Sequence, residues 1–158
     1  MPCYLFSWHG YGAWATERPP VAAVGRQLLL PDQVVRDRYR EPAADPAACF
    51  DDAAQRALID QLQAAAAADG LRLHAVAAEP TGVHAVVSWG DPRPEGQVRR
   101  GLHDALAARL NTGGERVWLS HRGRRRRIED RTHFQHVTER ILPRHPGWRW
   151  DERRGLQR

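Results

Sequence analysis

Positions 3–8, Cys3-Tyr4-Leu5-Phe6-Ser7-Trp8, form an aromatic and apolar run, the composition of a buried strand. Gly10 and Gly12 end it. From there to Ala48 the chain is proline-rich with scattered apolar clusters, notably Val21 to Leu30 and Val34-Val35, which predicts an irregular excursion with a short strand at most. Asp51 or Asp52 can cap a helix running through Leu58, Ile59, Leu62 and the alanines to Ala68, with Gly70 as its stop. Leu71 to Ala78 and Val83 to Trp89 are short and β-leaning, and Glu79-Pro80-Thr81-Gly82 joins them as a hairpin. A second amphipathic helix covers about Glu95 to Leu110, with Val98, Leu102, Ala105, Leu106 and Leu110 on one side, and Asn111-Thr112-Gly113-Gly114 ends it. Arg116 to Ser120 reads as a strand, and Asp130 to Leu142 as a third helix stopped by Pro143.

The order β-α-β-β-α-β plus a terminal helix predicts an α+β fold of the ferredoxin-like, split βαβ kind: an antiparallel sheet with helices on one face plus a C-terminal helix. The length of 158 residues suits one domain over 1–158. Within it lie an irregular insertion at about 13–50 and a basic, Trp-containing tail at 143–158. No run approaches the roughly 20 apolar residues of a membrane span. Met1-Pro2-Cys3-Tyr4 also lacks the basic lead of an export signal, so the expected location is cytoplasmic. Cys3 and Cys49 lie far apart without metal-ligand spacing, as reduced thiols would.

Charge changes this picture by its distribution. All 24 basic side chains are arginine; residues 1–98 carry 8 of them against 12 acids, and residues 99–158 carry 16 against 7, so net −4 meets net +9. The C-terminal part is therefore a candidate polyanion surface. Its densest run is Arg122, Arg124, Arg125, Arg126 and Arg127, followed by Arg131. These can grip phosphates with release of counterions; arginines on an edge strand also serve to block sheet-to-sheet pairing. Trp148 and Arg149 in the tail can stack on unpaired bases and contact phosphate, or pack the tail onto the body. Trp8, Trp89 and Trp118 read as core.

Three segments carry a family likeness in order: Ser7-Trp8-His9-Gly10-Tyr11-Gly12-Ala13-Trp14, the hairpin from Leu71 to Ser88, and the basic run into Asp130-Arg131-Thr132-His133-Phe134. Together they resemble the insertion-sequence-200-like transposases, also called the REP-associated tyrosine transposase family. The resemblance implies two histidines, two positions apart on a central strand, that hold a divalent metal; period two places both on one face. It further implies a tyrosine on the last helix that attacks a phosphate of single-stranded DNA.

Two departures alter what the likeness implies. With Pro80 at the family's turn proline, Gly82 stands where the first histidine belongs and His84 where the second does. Glycine cannot ligate a metal. The only tyrosines are Tyr4, Tyr11 and Tyr39, whereas the nucleophile's place in the last helix falls at Arg140 or Ile141. The expectation is a degenerate, DNA-binding member that takes single-stranded or hairpin DNA, as a homodimer by resemblance, and lacks tyrosine-dependent strand transfer. His84 is the remaining catalytic candidate and, with His136 and Glu139, a candidate metal ligand; His74 is a further neighbour. No cofactor is expected unless cleavage persists, in which case Mg²⁺ or Mn²⁺ would serve. The alternatives are a metal-dependent endonuclease using His84 with other partners, and an RNA-binding or protein-interaction module on the same frame.

Overall fold

Strand β1 (Cys3–His9) is an inner strand of the main sheet, paired on both sides. The computed structural model describes residues 1–12, 22–24, 27–29, 47–121 and 123–158. Short strands β2 (Ala22–Val24) and β3 (Gln27–Leu29) pair with each other as a separate two-stranded sheet, within the stretch expected to be irregular. Helix α1 (Asp52–Ala68) begins where the Asp51 carboxylate accepts the Ala54 N–H at 2.7 Å. Strands β4 (Arg72–Glu79) and β5 (Gly82–Ser88) form the hairpin, and helix α2 spans Glu95–Leu110. Beyond it come strand β6 (Arg124–Arg127) and helix α3 (Arg131–His136), whose N-terminus is capped by Asp130. The α3 path continues as a wider π turn over Val137–Ile141 and a 3-10 turn over Leu142–Arg144. Strands β7 (Trp148–Asp151) and β8 (Gly155–Gln157) complete the chain.

The main sheet has six strands in the order β6-β1-β5-β4-β7-β8, every neighbouring pair antiparallel. Its first four strands give the ferredoxin-like order, and the terminal hairpin widens that sheet beside β4. Alternation along each strand separates two faces. Phe6, Trp8, Val76, Ala78, Val83, Ala85 and Val87 turn to α1 and α2, which contribute Leu58, Ile59, Leu62, Val98, Leu102 and Leu106 to the main core. Ala75, Ala77 and Val86 turn the other way, where Ile128, Val137 and Leu142 cover them. The expected antiparallel sheet with helices on one face plus a C-terminal helix holds, and α3 lies on the face opposite α1 and α2.

One expectation is corrected. Arg116 to Ser120 is not a strand: it makes one bridge, Gly10 with Leu119, and Trp118 stacks on Phe50 while the Arg116 guanidinium lies 4.0 Å from the Trp118 ring centre. The arginine run supplies the strand, because an edge position needs no apolar face. Of the two readings of the C-terminal segment, packing onto the body is the one seen: Trp148 and Trp150 pair with Ala78 and Val76 and pack against the main core. Among the described residues, no helix is long and apolar enough to cross a membrane.

Candidate functional site

On the α3 side of the sheet, His84 lies between Ser7 on β1 and Ala77 on β4. It is buried; its Nδ1 is 2.8 Å from Ser7 Oγ and its Nε2 3.4 Å from Glu79 Oε1. The short turn Pro80-Thr81 pairs Glu79 with Gly82, so Glu79 is the diagonal neighbour of His84 across the hairpin. The second carboxylate oxygen, Glu79 Oε2, is 3.0 Å from Nδ1 of His145, which follows the 3-10 turn. The His84 and His145 rings lie 4.1 Å apart between centroids and 26° from parallel. Burial pushes the Glu79 carboxyl up, but hydrogen bonds and charge from His145 and His84 outweigh it and hold its pKa down at about 2.

The donor atoms of Glu79, His84 and His145 all lie within 4.8 Å of one another. The sequence reading found His84 but missed Glu79, His145 and the supporting Ser7. Glu79 was legible in principle, since a two-residue turn fixes the hairpin register and with it the diagonal. His145 carried no such signal, because a π turn and a 3-10 turn deliver it. His136 and Glu139 are exposed and take no part in this group. His74 belongs to a different network: its Nε2 is 2.8 Å from Ser88 Oγ, its Nδ1 3.2 Å from Glu152 Oε1, and Arg72 donates to the same carboxylate.

Gly82, where the resemblance implies a histidine, faces a crowded spot. A Cβ there would lie 2.7 Å from the Trp8 carbonyl oxygen. Opposite it on β1 stands His9, whose ring is 6.1 Å from that of His84 and edge-on to it. Tyr4 stacks between Phe6 and Trp89 on the helix-covered face, away from His84, and Tyr39 lies outside the described residues. Arg140 and Ile141 occupy the π turn.

The arginine candidates fall into two places. Arg124, Arg125, Arg126 and Arg127 are exposed along the β6 edge, whereas Arg122 lies outside the described residues. Register sorts them: Arg124 and Arg126 pair with Ser7 and Leu5 and share the His84 face, while Arg125 turns to α2 and meets Glu95 at 3.1 Å. Arg131 is exposed at the first turn of α3. Trp148 and Arg149 stand on β7, across β1, β5 and β4 from β6, or about 19 Å at ordinary strand spacing. Trp148 faces the helices, with the Arg56 and Arg158 guanidiniums 5.2 and 5.8 Å from its ring. Arg149 donates to the Pro143 and Arg158 carbonyls at 2.8 and 3.1 Å. The structure thus brings Arg124 and Arg126 to the His84 face and engages Trp148 and Arg149 in holding the C-terminal hairpin.

No protein-family model matches the sequence, and no curated protein matches it. Among solved structures, the fold is similar to a REP-associated tyrosine transposase bound to a REP hairpin, with a TM-score of 0.50 and 10% identity. The match covers 89% of this chain and 64% of that one, so the chain spans less than two thirds of its neighbour's length. At that identity the likeness concerns the fold.

Proposed function

We propose that this chain is a DNA-binding protein of the insertion-sequence-200-like transposase family that takes single-stranded or hairpin DNA and lacks tyrosine-dependent strand transfer. The observation that carries the reading is β6, four consecutive exposed arginines on the sheet edge. Two of them stand on the face that also holds His84. A row of exposed guanidiniums along a sheet edge suits a polyphosphate backbone, since each contact releases counterions whatever the sequence. The similarity to a transposase solved with a hairpin supports this reading at the level of fold. The absent chemistry is supported by Gly82 and by the lack of any tyrosine after Tyr39. Electrophoretic shifts with single strands, hairpins and duplexes over a salt series test the proposal. Binding that prefers single strands or hairpins and weakens with salt is expected; undetectable or salt-insensitive binding would overturn it.

A further inference from the structure

We propose that Glu79, His84 and His145 bind one divalent transition-metal ion. The inference stands independently of DNA binding. It replaces two of the three ligands expected from the sequence, since Glu79 and His145 take the places given to His136 and Glu139.

Two of the donor separations are near those of a coordination sphere, and all three donors lie within 4.8 Å of one another. Ligands at about 2.1 Å in a tetrahedral arrangement stand about 3.4 Å from one another. Here the Glu79 oxygens lie 3.4 Å from His84 Nε2 and 3.0 Å from His145 Nδ1. The three donors come from a strand end, a central strand and a turn after α3, which converge only in the folded chain. Ser7 completes the arrangement: its hydroxyl can accept from His84 Nδ1–H or donate to a bare Nδ1. With Nδ1–H donated to Ser7, the Nε2 lone pair is left for the ion, the usual outer support of a metal-bound imidazole. Without an ion, a proton on Nε2 serves the hydrogen bond to Glu79 instead. Metal binding therefore selects the His84 tautomer whose Nδ1–H is held by Ser7, in a group already assembled around one carboxylate.

Two imidazoles and one carboxylate favour Zn²⁺ and Co²⁺ over Mn²⁺, and all three over Mg²⁺, which prefers oxygen donors. Three protein ligands leave a fourth tetrahedral position for water or another exchangeable ligand.

Titration of the purified full chain with Zn²⁺ by calorimetry, and with Co²⁺ by visible absorption, tests the site. A Cys49→Ser background removes the exposed thiol from consideration. One ion per chain is expected, with Co²⁺ bands of tetrahedral intensity and a melting temperature that rises with metal. Glu79→Gln and His145→Ala should each weaken binding at least tenfold, and His136→Ala should leave it unchanged. Circular dichroism establishes that each variant is folded; Glu79→Gln, nearly isosteric, carries the test if His145→Ala is not. Absence of stoichiometric binding, undiminished affinity in folded Glu79→Gln or His145→Ala, or loss of binding in His136→Ala would overturn the assignment.

Discussion

Replacing Gly82 by alanine puts a methyl group where the β1 backbone already stands. The new Cβ would lie 2.7 Å from the Trp8 carbonyl oxygen, 3.6 Å from His9 Cα and 3.7 Å from His9 Nδ1. Carbon-to-oxygen contacts between strands ordinarily begin near ~3.3 Å, so β1 and β5 would have to separate by about 0.6 Å at this point. Trp8 is poorly placed to retreat. It is fully buried, and Gly123 crosses beside it so closely that a Cβ there would lie 2.9 Å from Trp8 Cδ1. Overpacking of this kind costs about 1–3 kcal/mol, and the lower entropy of the unfolded alanine chain returns about 0.4–1 kcal/mol. The expected net loss is centred on about 1.3 kcal/mol. With a urea slope near ~2 kcal/mol/M, the midpoint followed by circular dichroism should fall by about 0.5–1 M. Gly82→His, which places an imidazole where the resembled family has one, carries the same clash plus a larger ring beside His9 and should fall further. An unchanged or raised midpoint in Gly82→Ala would refute the reasoning. It would also mean that β5 accepts a side chain at position 82 without moving β1.

Two other perturbations follow from single contacts. Gly147 has φ +128°, and a Cβ there would run into the Ala78 carbonyl and the Gln55 side-chain oxygen; Gly147→Ala should cost about 3 kcal/mol or more, and a melting temperature equal to the parent's would contradict this. Burial pushes the Glu152 carboxyl up, but hydrogen bonds from His74 and Arg72 outweigh it and lower its pKa. A depressed carboxylate pKa gives stability that is present above the ordinary carboxylate range and lost as pH falls through it. Denaturation between pH 6 and 3 should therefore show a steeper loss in the parent than in Glu152→Gln. The difference should stay under about 1 kcal/mol, because solvent screens this partly exposed pair.

Elements whose burial is two-sided or strictly periodic were legible in the sequence. The apolar spacing from Val98 to Leu110 predicts α2 with the observed ends, and the turn at Pro80-Thr81 predicts the β4-β5 hairpin. The failures share a physical cause. Val117 and Leu119 alternate like a strand, yet only Leu119 is buried, as a plug against the end of β1. The true strand has four arginines and no apolar side chain, which is possible because β6 lies at an edge and only its backbone is paired to β1. Trp148-Arg149-Trp150-Asp151 does alternate with period two, with both tryptophans packed toward the helices. Of the candidate metal group, His84 was read from the family resemblance, Glu79 was available from hairpin register, and His145 depends on turns that no periodicity announces.

The salt dependence of DNA affinity tests the central claim most directly. Parent protein and an Arg124→Ala/Arg126→Ala double variant, both verified as folded, would be titrated with a single-stranded and a hairpin oligonucleotide from low to physiological salt. Each phosphate contact on a single strand contributes about 0.7 to the slope of log affinity against log salt. Measurable binding is expected whose affinity falls linearly on that plot, with a slope on the single strand shallower by about 1.4 in the double variant. Binding that is absent at low salt, or a slope unchanged by removal of both arginines, would contradict it.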